Sequence, residues 1–308
     1  MGGMKSPIHI GTSGWSYPSG YGKWNGIFYP RRWSGDELAY YAERFPAVEV
    51  NSSFYRLPGV PTVRSWIERT PAGFRFTVKL YRKFTHPEFY AREEGQSPEI
   101  TDADMAAMRG ALDVLAEHDR LGALLVQYPD FFFRNEENLA ALARTLGRFR
   151  EYPLAVELRN QSWQHAEARE VLATYGAAVA RIDEPFFNNL EMESPPEEPL
   201  RYWRFHGRNA GEWRRRGAGA HRYDYLYTPD EVDELADLIA RHIHPDRPTF
   251  IFFNNHPGGQ AAANAVSLSK RLKMPLDYAK FSNLAEAFPF LKAITGGDGG
   301  QMSLLGEH

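Results

Sequence analysis

The sequence predicts an α/β fold, specifically a (β/α)8 TIM-like barrel. Eight short apolar runs alternate with helical patterns, which is typical of strand–helix–strand units around a parallel sheet. The alternative doubly wound sheet lacks its dinucleotide fingerprint, because Gly11 and Gly14 are not followed by a third glycine at the required spacing. The predicted strands are Ile8–Thr12, Ala47–Asn51, Phe74–Lys79, Ala123–Gln127, Leu154–Glu157, Ala177–Arg181, Tyr202–His206 and Thr249–Phe253.

Helix start signals lie between most of these runs. Ser34 to Glu37 reads as a capping box, and Thr101 and Asn135 are predicted N-caps. Thr228 combines an N-cap with a proline at the next position and Glu231 three residues on. Apolar residues follow each start at helical spacing, so we assign them to the core.

The sixth crossover interrupts this rhythm. Pro195, Pro196 and Pro199 exclude a regular helix, which leaves a loop, a short degenerate helix or a domain linker. Because the strand–helix spacing resumes afterwards, we predict one barrel domain over residues 8–294, with long first and seventh strand–helix loops. Residues 1–7 are expected to be a flexible N-terminus and residues 295–308 a disordered tail.

Composition excludes several classes of protein. The chain has no cysteine, so disulfide scaffolds, thiolate metal sites and thiol nucleophiles are excluded. A formal net charge of -3 argues against a protein whose whole surface binds nucleic acid or anionic lipid. No apolar run approaches the ~20 residues that span a bilayer, and no signal peptide begins the chain, so we expect a cytoplasmic protein without a membrane partner.

A polar residue lies at or directly after the carboxyl end of every predicted strand, which is the end where TIM barrels have their active sites. Glu157 and Asp183 are the carboxylates at these strand ends, so we predict that Glu157 is the general acid/base, with Asp183 and His206 assisting. The alternative is a buried salt-bridge network that fills the barrel mouth. The further strand-end residues predicted to bind the substrate are Asn51, Lys79, Gln127, Arg159, Asn254 and Asn255. A weaker hypothesis is that Lys79 forms a Schiff base with the substrate.

Three loops supply the remaining candidates. The first loop is rich in aromatic residues, and we predict that Trp15, together with Tyr55 after the second strand, stacks on the ligand; packing of the loop onto the barrel is the alternative for most of its rings. The seventh loop is arginine-rich and is interpreted as a lid, with Arg208 predicted to contact the substrate; an exposed, solvated loop is the alternative. Gly258 and Gly259 precede an alanine-rich helix, where free N–H groups would bind an anion.

Seven motifs at the strand ends and in the loops occur together in this chain: Gly11-Thr12-Ser13-Gly14-Trp15-Ser16-Tyr17, Val48-Glu49-Val50-Asn51-Ser52-Ser53-Phe54-Tyr55, Phe76-Thr77-Val78-Lys79, Val156-Glu157-Leu158-Arg159-Asn160-Gln161-Ser162-Trp163, Arg204-Phe205-His206-Gly207-Arg208, Tyr223-Asp224-Tyr225 and Phe253-Asn254-Asn255. In this combination the chain resembles the YecE-like proteins, a bacterial and archaeal domain family of unknown function. The resemblance runs from about Ile8 to Ile294 and implies a TIM-like barrel without supplying a reaction. One departure is Gln127-Tyr128-Pro129-Asp130, where such proteins more often have Gln-Leu-Pro-Pro.

We therefore expect an enzyme acting on a small anionic ligand, a phosphorylated sugar or nucleotide, by acid/base chemistry. A metal-assisted phosphodiesterase on nucleic acid is a less favoured alternative, suggested for such barrels by fold analogy. A non-catalytic ligand-binding barrel is another. We predict no cofactor and assign no metal ligand. The alternative is a single divalent metal ion, for which the candidate ligands are Glu157, Asp183, His206 and His256. Oligomeric state is left open.

Overall fold

Eight parallel strands form the barrel in a computed structural model that describes residues 8–296, except 193, 194, 196, 216 and 218. They neighbour one another in the order β1-β9-β8-β6-β5-β4-β3-β2, and a bridge between Ser13 and Glu49 joins the two ends of this order. The predicted (β/α)8 architecture is thereby confirmed. The strands are β1 (Ile8–Thr12), β2 (Ala47–Val50), β3 (Arg75–Lys79), β4 (Leu121–Tyr128), β5 (Leu154–Leu158), β6 (Ala177–Glu184), the antiparallel two-residue β7 (Phe187–Asn188), β8 (Arg201–Phe205) and β9 (Thr249–Phe253).

The helices surround the strands, and three of the predicted starts are confirmed. Thr101 and Thr228 form capping boxes, and the Asn135 side chain accepts from the backbone N–H of Asn138. The capping box at Ser34 is wrong: Asp36 is the N-cap, because its carboxylate accepts from two N–H groups of the first turn. The helices are α1 (Glu37–Ala42), α2 (Val60–Glu68), α3 (Arg82–Thr85), α4 (Pro87–Glu94), α5 (Asp102–Glu117), α6 (Glu136–Arg148), α7 (Ala166–Thr174), α8 (Ala210–Trp213), α9 (Pro229–His242), α10 (Gln260–Arg271), α11 (Ser282–Ala287) and α12 (Lys292–Thr295).

Two apolar cores meet at the sheet. The larger core packs the helices against the outer face of the strands, and the smaller one fills the inside of the barrel. Inside, small alanines on β4, β5 and β6 face the rings of Tyr202, Phe250 and Phe252, so that the interior is closed. The polar residues at the carboxyl ends of the strands therefore lie above a closed layer of apolar side chains.

The sixth crossover is irregular, as predicted. After the β6–β7 hairpin the described residues reach β8 without forming a helix, and the buried Glu198 pairs with Arg201 at 2.5 Å. The segments predicted to be flexible or disordered lie outside the described residues, apart from Thr295 and Gly296. No helix among the described residues has both the length and the apolar character needed to cross a membrane.

Candidate functional site

A cavity of about 420 Å³ opens at the carboxyl ends of the strands, and we call it the barrel-mouth cavity. Its charged lining residues, among those the structure describes, are all cationic: Lys79, Arg159 and Arg204. A larger groove of about 750 Å³ lies on the outer surface beside α7, but none of the predicted site residues lines it. The barrel-mouth cavity is lined by Tyr17, Asn51, Phe54, Tyr55, Lys79, His86, Phe89, Gln127, Phe131, Arg159, Arg204, Tyr223, Asn254 and His256.

Arg204 on β8 forms the floor of this cavity and reaches across the barrel. Its Nε and Nη2 donate to the two carboxylate oxygens of Glu49 on β2, at 2.9 and 2.8 Å. Ser13 Oγ and the hydroxyl of Tyr202 also donate to Glu49, at 2.6 and 2.7 Å. This buried carboxylate is therefore fully occupied, and its role is to hold Arg204 in place.

Glu157 at the end of β5 pairs with both cavity arginines. One carboxylate oxygen accepts from Arg159 Nε and the other from Arg204 Nη1, and the side chain is completely buried. Burial alone would raise the pKa of Glu157, but the two guanidinium groups outweigh it and hold the pKa far below its usual range. Glu157 is therefore ionised, and it lies behind the cavity wall rather than in it.

His206 is buried beneath the same arginines. Arg159 Nη2 and Arg204 Nη1 lie 3.1 and 3.4 Å from its Nε2, and both groups can only donate, so Nε2 accepts. Burial, followed by the charges of these arginines, lowers the pKa of His206 well below its usual value. On the other side of the ring, Asn254 Nδ2 lies 2.9 Å from Nδ1, and Asn254 Oδ1 accepts from Asn51 at 3.4 Å.

Lys79 at the end of β3 is the third cation. Its Nζ lies 4.1 Å from the centre of the Phe54 ring, and its backbone carbonyl accepts from Ser53 Oγ at 2.6 Å. Burial, with the charge of Arg204 next in importance, lowers the pKa of Lys79 to about 7.

Aromatic side chains form the walls and rim. Tyr17 stacks on His256 at 4.7 Å between ring centres, and Tyr223 of the seventh loop lies 5.6 Å from the same imidazole. Tyr55 and Phe131 are 63% and 70% exposed at the rim, so their faces are open to a ligand.

Asp183 and Arg208 were predicted to belong to the site, but the structure places them in another cluster. Arg208 donates to Asp183 at 2.8 Å and to Glu231 at 2.9 Å, and the Tyr227 hydroxyl also contacts Asp183. Neither residue lines the barrel-mouth cavity. Their contacts instead join β6 to the start of α9, beneath the seventh loop.

Four further predicted residues also lie away from the cavity. Trp15 packs edge-on against Trp66 at 5.7 Å, and Asn255 is buried, with its side-chain N–H groups donating to Tyr225 and Asn264. The backbone N–H groups of Gly258 and Gly259 donate to carbonyls of Gly22 and His256, so they are not offered to a ligand.

Six of the predicted substrate-binding residues do line the cavity: Asn51, Tyr55, Lys79, Gln127, Arg159 and Asn254. Sequence reasoning missed Glu49 and Arg204, although each lies two residues before a predicted site residue on its own strand. Since alternate residues of a strand share a face, that spacing was an available signal. The loop residues Tyr17, His86, Phe89, Phe131 and Tyr223 carried no comparable signal.

No group of three or more potential metal ligands occurs among the described residues. Glu157 and Asp183 belong to different ion-pair clusters, and the Nε2 lone pair of His206 faces arginine donors. The set of Glu157, Asp183, His206 and His256 therefore does not converge on one point.

A family model described as "Protein of unknown function DUF72" matches residues 9–285. The chain belongs to the DUF72 family. The UPF0759 protein YunF of Bacillus subtilis (strain 168) is 28% identical over 277 residues, which cover 86% of this chain and 94% of that protein. The UPF0759 protein YecE of Escherichia coli (strain K12) is 29% identical over 152 residues, or 42% of this chain and 52% of that protein. The resemblance to YecE-like proteins is thereby confirmed.

Solved DUF72 structures share the barrel. A DUF72 family protein of Thermotoga maritima is 32% identical with a TM-score of 0.70, covering 87% of this chain and 99% of that one. One from Enterococcus faecalis is 26% identical with a TM-score of 0.71, covering 88% and 97%. These similarities establish the family and the fold of the chain.

Proposed function

We propose that this DUF72 barrel binds a small anionic organic ligand in the barrel-mouth cavity and acts on it by acid/base chemistry. The observation that carries the proposal is the charge of the lining: Lys79, Arg159 and Arg204 face the cavity, whereas Glu49 and Glu157 lie beneath it. An anion in the cavity would bring the negative charge that these groups attract.

Two imidazoles near the cavity are uncharged at neutral pH. Burial, followed by the charges of Lys79, Arg159 and Arg82, lowers the pKa of His86 to about 3. Burial, followed by the charges of Arg204 and Arg159, lowers the pKa of His206 well below its usual value. His86 at the cavity and His206 beneath it therefore add no positive charge, and the charge that would attract an anion belongs to Lys79, Arg159 and Arg204.

The walls favour a ligand with a ring as well as an anionic group. A volume of about 420 Å³ suits a sugar phosphate or a mononucleotide. The exposed faces of Tyr55 and Phe131 offer stacking surfaces, and the amides of Asn51, Gln127 and Asn254 offer hydrogen bonds.

For the acid/base group, the geometry favours Lys79, which the sequence predicted to bind the substrate, over the predicted Glu157. Glu157 has both carboxylate oxygens occupied by guanidinium groups, and a carboxyl with so low a pKa is a weak base. Lys79 reaches the cavity and has a pKa of about 7, so it can accept or donate a proton near neutral pH.

The test is isothermal titration calorimetry with sn-glycerol 3-phosphate. We expect Arg159→Gln to weaken binding at least ~10-fold, the loss typical of one charge-assisted hydrogen bond. The matched control is Arg64→Gln on the exposed face of α2, which should leave affinity unchanged. Equal affinity of wild type and Arg159→Gln would overturn the proposal.

A second measurement does not depend on how well the variant folds. Crystals of the wild-type protein soaked in tungstate should show anomalous density between Arg159, Arg204 and Lys79. Tungstate density confined to the Gly258–Gly259 turn or to the outer groove would place the anion site elsewhere.

A further inference from the structure

Lys79 differs from a lysine that serves only as a structural cation. No carboxylate among the described residues lies within salt-bridge distance of its Nζ, whose ring contact with Phe54, at 4.1 Å, resembles that of Lys83 with Tyr90 at 5.2 Å. Lys83, four residues later, shows the ordinary arrangement, since its Nζ pairs with Asp104 at 2.7 Å. The amine of Lys79 is therefore held at the cavity without an ion-pair partner.

Burial, followed by the charge of Arg204, lowers the pKa of Lys79 and favours its neutral amine. Arg159 acts in the same direction and Glu157 and Glu49 oppose it, and the charge of Lys79 in turn lowers the pKa of His86 and His206. With a pKa of about 7, Lys79 is about half neutral at pH 7. Only about one in 10³ to 10⁴ ordinary lysines is neutral at that pH.

We propose that Lys79 forms a Schiff base with a carbonyl group of the bound ligand, so that the substrate class is a small phosphorylated aldehyde or ketone. This inference rests on the proposed anion site. Arg159 and Arg204 would hold the phosphate while the carbonyl carbon lies at Nζ, because all three side chains line one cavity. A neutral, desolvated amine beside cationic groups is the arrangement that activates lysine as a nucleophile.

The chemistry balances without a redox partner. The lone pair of Nζ attacks the carbonyl carbon, and the carbonyl π electrons move to oxygen, which takes up a proton to give a carbinolamine. Loss of the hydroxyl as water then leaves a carbon–nitrogen double bond. In total, amine, carbonyl and one proton yield a protonated imine and water, and the positive charge stays beside the phosphate.

The test is reductive trapping on the wild-type protein. The protein is incubated with glycolaldehyde phosphate and sodium cyanoborohydride, which reduces the imine to a stable secondary amine, and modified peptides are mapped by mass spectrometry. We expect Lys79 to be modified on the order of 10- to 100-fold faster than Lys83 or Lys270, because it lines the cavity that holds the phosphate and has no ion-pair partner among the described residues. At a probe concentration well below saturation, the rate at Lys79 follows the pKa of the unliganded protein, so it should rise with pH through about 7 and then level off.

Variants and a competitor separate specific trapping from general labelling. Lys79→Arg and Lys79→Met should each lose the dominant adduct, and Lys83→Arg should retain it. Excess sn-glycerol 3-phosphate, which lacks a carbonyl, should slow trapping at Lys79 alone. Equal labelling of all lysines, or a dominant adduct elsewhere, would overturn the inference even if the variants do not fold.

Failure of the inference and failure of the proposed function give different results. If sn-glycerol 3-phosphate binds in an Arg159-dependent way but no adduct forms at Lys79, the anion site stands and the Schiff base is refuted. If it neither binds nor protects Lys79, both are refuted.

Discussion

Individual side chains at the barrel mouth have two functions at once. Arg204 satisfies the buried Glu49 and Glu157 and also forms the cavity floor, and Arg159 pairs with Glu157 while facing the cavity. The salt-bridge network that the sequence left as an alternative is therefore present, and the proposed anion site is built on top of it. Removing one member should affect stability first.

We predict that Glu157→Gln lowers the free energy of unfolding by about 3–5 kcal/mol, because it leaves two guanidinium groups without their shared carboxylate. Urea denaturation followed by circular dichroism measures this change. Arg271→Gln, which removes an exposed pair with Asp233, is the control and should cost less than about 1 kcal/mol. If Glu157→Gln also lowered the free energy of unfolding by less than about 1 kcal/mol, the salt-bridge network would not stabilise the barrel.

We predict that anion binding above pH 7 takes up protons. A bound anion favours the ammonium form of Lys79, so its pKa rises from about 7 on binding, and affinity falls as pH rises through that value. Calorimetry with sulfate, which does not titrate in this range, measures the uptake from the dependence of the heat on buffer ionisation enthalpy. Lys79→Met should abolish the dependence of the binding heat on the buffer. If the dependence remained in this variant, the proton would be taken up by another group.

At the scale of elements, the barrel closes where β1 approaches β2. Gly14 N–H donates to the Glu49 carbonyl at 2.8 Å, and Thr12 N–H donates to the Tyr41 hydroxyl of α1 at 2.8 Å. Gly11 permits this approach, since a Cβ there would lie 2.0 Å from the Ala47 carbonyl oxygen. The junction also places Ser13 against Glu49, so it supports the site above it.

We predict that Gly11→Ala destabilises the protein by about 3 kcal/mol, because the added methyl group must push β1 away from β2. Gly73→Ala is the matched control, since a Cβ at Gly73 meets nothing within 4 Å, and it should change stability by about 0.5 kcal/mol or less. Both values come from urea titrations monitored by tryptophan fluorescence. Equal stability of the two variants would mean that β1 adjusts freely.

For the whole molecule, the net charge of -3 is a poor guide to the ligand. Acidic side chains such as those of Glu191 and Glu197 are exposed and do not line the cavity, whereas the charged side chains that do line it, among the described residues, are cationic. Because the field in a cleft depends on the nearest charges, an anion would meet a positive site on a weakly acidic protein.

We predict that the chain unfolds in one transition, as expected for the single domain over residues 8–294. β1 pairs with β9 along five residues, so the first and last strands belong to one sheet. Neither the N-terminal nor the C-terminal half of the chain can therefore unfold without opening the barrel. The urea midpoints from tryptophan fluorescence and far-ultraviolet circular dichroism should coincide. Two separated midpoints would instead indicate independently stable parts.

The sequence by itself determined the alternation of strands and helices, three of the four helix starts predicted from it and the polar strand ends, because these depend on local patterns of polarity and capping. It predicted six lining residues and also Glu157 and His206 directly behind them. It predicted the strand Ala177–Arg181 but not which face of β6 points into the barrel, since all eight residues of β6 are buried.

Only the tertiary structure decided which strand-end side chains share the cavity. On β6, Asp183 faces Arg208 and the seventh loop, whereas its neighbour Glu184 lies 3.6 Å from Arg159. A shift of one residue exchanges the two faces of a strand, so the side that a residue presents depends on pairing between strands distant in sequence. The same cause hid Arg204, whose partners Glu49 and Glu157 lie 155 and 47 residues away along the chain.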